Sequence, residues 1–68
     1  ETGSYDEWVT RAYLLLGDIF FAQKDYFNAK ATFESISQNA SIESLRTEAT
    51  EKLEKVRVEE KKTSKMKN

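Results

Sequence analysis

Residues 10–43 of this chain read TRAYLLLGDIFFAQKDYFNAKATFESISQNASIE, and this stretch decides the fold. Its apolar residues recur at helical spacings on both sides of one break, at Lys24-Asp25. Gly17 before the break and Ala29 after it leave room for a neighbouring helix, and Phe33 follows Ala29 by one turn as a large side chain that fills such room. The pattern predicts two antiparallel helices that pack closely as a hairpin.

The order of large and small residues in this stretch resembles the tetratricopeptide repeat, a helix-turn-helix unit of 34 residues. The positions that carry the resemblance are Tyr13, Leu16, Gly17, Phe20, Asp25, Tyr26, Ala29 and Phe33. Two positions depart from the family: Lys24 stands where the repeat usually has a turn glycine, and Ser41 where it usually has a proline. If the turn requires a positive φ, Lys24 carries strain of about 1 kcal/mol, whereas Ser41 can cap the next helix.

The first helix is expected to be longer than one repeat needs. Ser4 followed by Glu7 is a capping-box pattern, which starts the helix near Tyr5, and the apolar spacing carries it to about Gln23. The stripe expected to meet the second helix comprises Val9, Ala12, Tyr13, Leu16, Ile19 and Phe20. Trp8, Leu14, Leu15 and Phe21 fall elsewhere around the helix. A helix that is apolar nearly all round needs a second partner.

The second and third helices are predicted at about residues 26–38 and 42–60. Asp25 is expected to cap the second helix and Asn39 to end it in a left-handed conformation. The second helix buries Tyr26, Ala29, Phe33 and Ile36, and the third buries Ile42, Leu45, Ala49, Leu53 and Val56. Two glutamates each precede a lysine by four residues, which is the spacing and order of charges that stabilises a helix: Glu48 before Lys52 and Glu51 before Lys55. The third helix resembles the solvating helix that closes a repeat array.

The fold class predicted is all-α: an antiparallel, tetratricopeptide-like hairpin plus a third, solvating helix. Residues 1–4 are interpreted as a cloning remnant or a disordered segment, residues 5–60 as the three-helix unit, and residues 61–68 as a basic tail that frays or is disordered. The chain is interpreted as a piece of a longer protein. The resemblance also points towards bacterial proteins of the cell envelope.

Composition disfavours an enzyme. The 68 residues include neither Cys nor His, which removes disulfides and the commonest catalytic base and metal ligand. The glutamates of the third helix alternate with Lys and Arg, so no catalytic residue, metal site or cofactor site is predicted. No signal peptide is visible. The sequence also contains no run of 18 apolar residues, so membrane insertion is not predicted. The Lys-rich tail has no interleaved aromatic residue to stack on bases, which disfavours nucleic acid as a partner.

The first helix carries the candidate binding residues for a protein or peptide. Arg11 and Asp18 share a strip with Leu14 and Phe21, and the resemblance makes this the face that lines the concave groove of repeat arrays. The alternative is that the two apolar side chains pack on a neighbouring repeat or on a second copy. Trp8 is an aromatic anchor for a partner or a contact with a preceding repeat.

Five large side chains are left without an obvious cover in a three-helix unit: Trp8, Leu14, Leu15, Phe21 and Phe27. Because such a patch is larger than a monomer usually exposes, we expect a homodimer through the first helix, with Trp8 and Leu15 at its centre. Two functions therefore compete. One is a protein–protein interaction module or scaffold, and the other is a structural C-terminal end-cap of a longer array without a ligand of its own.

Overall fold

Three helices form the chain in a computed structural model that describes residues 5–67, with side chains described for residues 5–63. Helix α1 spans Tyr5–Ala22, α2 spans Tyr26–Asn39 and α3 spans Glu43–Lys67, with no strand among these residues. Helix α2 packs extensively against both others, whereas α1 and α3 meet only over a short region. The predicted all-α class is confirmed. The proposed Ser4 cap lies outside the described residues.

The turn between α1 and α2 is closed by backbone hydrogen bonds. The Asp25 N–H donates to the Phe20 carbonyl at 2.8 Å, and the Lys24 N–H donates to the Phe21 carbonyl at 2.9 Å. This pattern is a Schellman motif, in which Lys24 takes the left-handed position with φ of 64°. The turn therefore does require the positive φ that glycine would adopt without strain.

Asp25 caps α2 as predicted. Its Oδ1 accepts from the Asn28 N–H at 3.3 Å, and its Oδ2 accepts from the Asn28 side-chain amide at 2.7 Å. One of the free N–H groups at the start of the helix is thereby satisfied, and the carboxylate lies at the positive end of the helix dipole. The position of the chain reversal follows from this cap together with the strained Lys24.

The core lies along α2, between the other two helices. Its buried apolar residues are Leu14, Ala29, Phe33, Ile36, Leu45, Ala49, Leu53 and Val56. Phe33 is 1% exposed, and its ring lies directly over Gly17. A Cβ atom on Gly17 would stand 2.5 Å from Phe33 Cζ and 2.9 Å from Cδ1, closer than carbon atoms pack. The expected close approach at Gly17 is confirmed.

The face of α1 that enters the core differs from the predicted one. Leu14 and Gly17 are buried, whereas Tyr13, Leu16 and Ile19, which were expected to meet α2, are exposed. The Phe33 ring needs the space beside Gly17, so the helix is rotated to bring Gly17 inward. The face with more large apolar side chains is left outside.

The link between α2 and α3 differs from prediction at both ends. Asn39 is still helical, and Ala40 ends α2 in an extended conformation (φ −65°, ψ 139°) while its N–H donates to the Ile36 carbonyl. No left-handed residue is therefore used here. The Ile42 carbonyl accepts the first bonds of α3, so Ile42 occupies the N-cap in place of the predicted Ser41.

Helix α3 continues to Lys67, beyond the predicted end at residue 60. Lys30 on α2 pairs with Glu60 at 2.8 Å, and Glu59 pairs with Lys62 at 3.5 Å. Glu and Lys are good helix formers, and propagation of a helix from an anchored segment needs no further buried stripe. The prediction that the chain frays from residue 61 is therefore wrong, because residues 61–67 are helical. Lys52 also departs from prediction, since its partner is Asp18 of α1.

Candidate interaction surface

The outward face of α1 carries a continuous row of apolar side chains, here called the outer stripe. Its members are Tyr5, Trp8, Ala12, Leu15, Ile19 and Ala22, and all six are exposed. Trp8 is 68% exposed and Leu15 is 63% exposed. At 100° per residue the stripe lies roughly opposite Leu14 and Gly17, which enter the core. The rotation that seats Phe33 on Gly17 is what turns the outer stripe towards solvent.

The size of the outer stripe makes it a candidate binding surface. An α-helix of 18 residues is about 27 Å long. With two aromatic residues at one end, the stripe exposes on the order of 600 Å² of apolar side chain. This area matches the largest patches on monomers, which are often functional.

Two of the predicted partner-binding residues lie on this surface and two do not. Trp8 and Leu15 belong to the outer stripe. Leu14 is 5% exposed and packs in the core, so it cannot line an open peptide groove. Phe21 is half-buried, with its ring centroid 5.9 Å from that of Tyr26. The strip that was expected to be a groove is filled by the chain's own helices.

The two predicted charges of the site, Arg11 and Asp18, each have a partner within the chain. Arg11 donates to Glu7 Oε2 from Nη2 at 3.0 Å and from Nε at 3.1 Å. Lys52 Nζ donates to the two carboxylate oxygens of Asp18 at 3.0 and 3.3 Å. Arg11 and Asp18 do not pair with each other. Both pairs are partly exposed to solvent, so either charge can exchange its partner at modest cost.

A shallow cleft beside the outer stripe was missed by sequence reasoning. Tyr13 and Leu16 lie along the edge of α1 and form, with Ser35 and Ile36 of α2, the wall of a depression of about 320 Å³. A second depression of about 280 Å³ continues from Tyr13 towards Tyr5. Tyr13 and Leu16 were both assigned to the interior of the hairpin. The regular spacing of the outer-stripe residues was the signal in the sequence that could have identified this exposed apolar face of α1.

The remaining large exposed apolar residues lie on α2 and α3, outside the outer stripe. Phe27 is 76% exposed, on the side of α2 that is turned away from Ala29 and Phe33. Val58 is half exposed on α3, between charged neighbours. Neither belongs to a row of apolar side chains along its own helix. Phe27 and Val58 are therefore isolated exposed residues with which the outer stripe can be compared.

The described residues carry no arrangement suited to metal chemistry. Among the side chains of residues 5–63, no three Asp or Glu come together as a metal-binding group. Nor does any helix in the described range combine the length and apolar character needed to cross a membrane. The outer stripe with its flanking cleft is therefore the candidate interaction surface.

Comparison with protein-family models, with curated proteins and with solved structures found no match for this chain. The fold and the surface define its class as an all-α, three-helix chain with one apolar helix face open to solvent.

Proposed function

We propose that this chain is a protein–protein interaction module or scaffold unit, built on a tetratricopeptide-like hairpin, and that it performs no chemistry of its own. The observation that supports the proposal is the exposure of the outer stripe. Six apolar residues in one row, including Trp8 at 68% exposure, cost free energy in water unless a partner covers them.

The chemistry of the outer stripe suits a protein partner. Aromatic and branched aliphatic side chains on a straight helix are the anchors that amphipathic helices and apolar grooves recognise. Nucleic acid fits poorly, because α1 carries Asp6, Glu7 and Asp18 against Arg11 and would repel phosphates. We expect no change in the electrophoretic mobility of RNA or DNA at low salt.

The end-cap role is the second candidate, and the asymmetry of the three helices favours it. Helix α3 covers one side of α2 and turns charged side chains outward, while α1 leaves its own outer face open. A unit closed on one side and open on the other is suited to ending an array. Consecutive helical hairpins encoded before Ser4 would support the end-cap. An unrelated domain there would support the interaction module.

The experiment that tests a protein-binding outer stripe uses a synthetic amphipathic helix with leucine at heptad positions. Trp8 is the only tryptophan, so its fluorescence reports directly on the surface. We expect a blue shift on titration and binding in the micromolar range. Leu15→Glu should abolish binding, and Phe27→Glu, on α2, should leave it unchanged. Absence of any shift at millimolar peptide, with the chain diluted to its monomeric form so that no second copy covers Trp8, would overturn the interaction module.

A further inference from the structure

The outer stripe has the spacing of a coiled-coil seam. Its residues 5, 8, 12, 15, 19 and 22 are separated alternately by three and four positions, which is the a/d pattern of a heptad repeat. The two residues that face the core, Leu14 and Gly17, occupy other heptad positions. Helix α1 therefore has a second regularly spaced apolar face, and this face is exposed to solvent.

The order of sizes along the outer stripe is complementary to itself when a second copy runs antiparallel. Pairing from opposite ends sets Tyr5 against Ala22, Trp8 against Ile19, and Ala12 against Leu15. Each alanine thus meets a larger side chain, and each layer joins an a position to a d position. A parallel pair would stack Trp8 on Trp8 and Ala12 on Ala12, which crowds one layer and leaves a void in another.

The residues that flank the outer stripe favour the same orientation. Arg11 and Asp18 take the g positions on one flank, and Val9 and Leu16 take the e positions on the other. In an antiparallel pair the g positions of two helices face each other, so Arg11 approaches Asp18 of the second copy, twice by symmetry. The apolar e positions meet likewise. A parallel pair would set Arg11 beside Leu16 and form no such charge pair.

The area available is close to that of a small stable interface. The outer stripe exposes on the order of 600 Å² per copy, and Val9 and Leu16 extend it towards the 800 Å² or so that a standard interface buries on each partner. An interface of this size is consistent with micromolar association.

We infer that the outer stripe of α1 is the seam of an antiparallel homodimer, with layers Tyr5–Ala22, Trp8–Ile19 and Ala12–Leu15 and with two Arg11–Asp18 pairs between copies. This inference rests on the proposed function, because it takes the outer stripe to be a protein-binding surface and names a second copy of this chain as its occupant. The dimer exchanges the internal partners of Arg11 and Asp18 for intermolecular ones.

Sedimentation equilibrium of the whole chain at tens to hundreds of micromolar tests the occupant. We expect a concentration-dependent dimer, at least tenfold weaker association for Leu15→Glu, and unchanged association for Phe27→Glu. Leu15 and Phe27 are both exposed, so circular dichroism should show the same fold for both variants. A monomer throughout this range would overturn the dimer. If the synthetic helix still binds that monomer, the proposed function stands without it.

Charge exchange between copies tests the orientation. Arg11→Glu alone sets a new carboxylate against Asp18 of the second copy, and Asp18→Lys alone sets a new ammonium group against Arg11 of the second copy. Each variant should therefore dimerise several-fold more weakly than the parent. An equimolar mixture restores attraction at one site between the two introduced charges and at the other between the two native ones, and we expect the heterodimer to exceed its statistical share of one half. Changes within each chain are the same before and after mixing. A statistical mixture would overturn the antiparallel register.

Discussion

Helices α1 and α3 lie on α2 from two sides and differ in what they leave outside. Helix α3 buries one narrow stripe, from Leu45 to Val56, and between residues 43 and 63 it turns mostly charged and polar side chains to solvent. Helix α1 buries Leu14 and Gly17, yet keeps a second apolar row in the open. The three-helix unit therefore covers the apolar stripe of α3 but only one of the two apolar faces of α1.

The difference shows that burial within the unit follows close packing more than hydrophobicity. Gly17 is inside because the Phe33 ring fits only where no side chain intervenes. Trp8 and Leu15 would contribute more on burial, yet both remain exposed on the opposite face of α1. A helix with two apolar faces can bury one within the unit and offer the other to a partner.

The largest expected effect is that of Phe33→Ala, which removes the side chain against which α1 is seated. Loss of burial and the cavity left behind should cost about 3–5 kcal/mol, close to the whole stability of so small a chain. We expect an unfolded variant by circular dichroism. Phe27→Ala is the control, and its midpoint should stay within a few degrees when both are compared at one protein concentration. Equal midpoints would show that the hairpin packs otherwise.

On α3, Val56→Ala should lower the free energy of unfolding by about 2 kcal/mol, because Val56 is 1% exposed in the core. Val58→Ala, two residues away and 51% exposed, should change it by less than about 0.5 kcal/mol. Urea denaturation measures both. Similar losses for the two variants would mean that α3 does not pack in the core through the stripe from Leu45 to Val56.

Gly17→Ala should destabilise the chain by roughly 1 kcal/mol, since overpacking against Phe33 outweighs the gain in helix propensity. Phe33→Leu shortens the opposing side chain, and in that background Gly17→Ala should become neutral or stabilising. The double-mutant cycle therefore should give a clear coupling energy. Additive effects would contradict the contact that sets the rotation of α1.

Lys24→Gly should raise the free energy of unfolding by up to about 1 kcal/mol, because glycine adopts a φ of 64° without strain. Gln23→Gly is the matched control, since Gln23 does not have a positive φ, and that variant should lose stability. Thermal melts of the two should move in opposite directions. A loss in Lys24→Gly would place the Lys24 side chain among the stabilising contacts of the turn.

The smallest effect is expected from deleting residues 63–68. Helix α3 continues to Lys67, but the last buried stripe position among the described side chains is Val56, so the loss should stay below about 0.5 kcal/mol. Deleting from residue 59 also removes the Glu60–Lys30 pair and should cost up to about 1 kcal/mol. Urea denaturation of both truncations separates the cases. A large loss in the shorter deletion would assign a structural role to the end of α3.

Local spacing was sufficient to predict most of the fold. The helical periods, the break at Lys24-Asp25, the Asp25 cap and the stripes of α2 and α3 all follow from residues within one or two turns of each other. The end of α3 was predicted too early because the buried stripe stops before the helix does. Of the candidate site, Trp8 and Leu15 were predicted on an open surface and lie on one.

The sequence by itself determined that α1 is apolar on more than one side and that Gly17 leaves room for a neighbouring helix. Only the tertiary structure decided which apolar face lies inside, because α1 carries apolar residues at helical spacings on more than one face. The Phe33 ring made that choice by its need for the space at Gly17. The partner of Asp18 was likewise decided in three dimensions, since Lys52 reaches it from another helix.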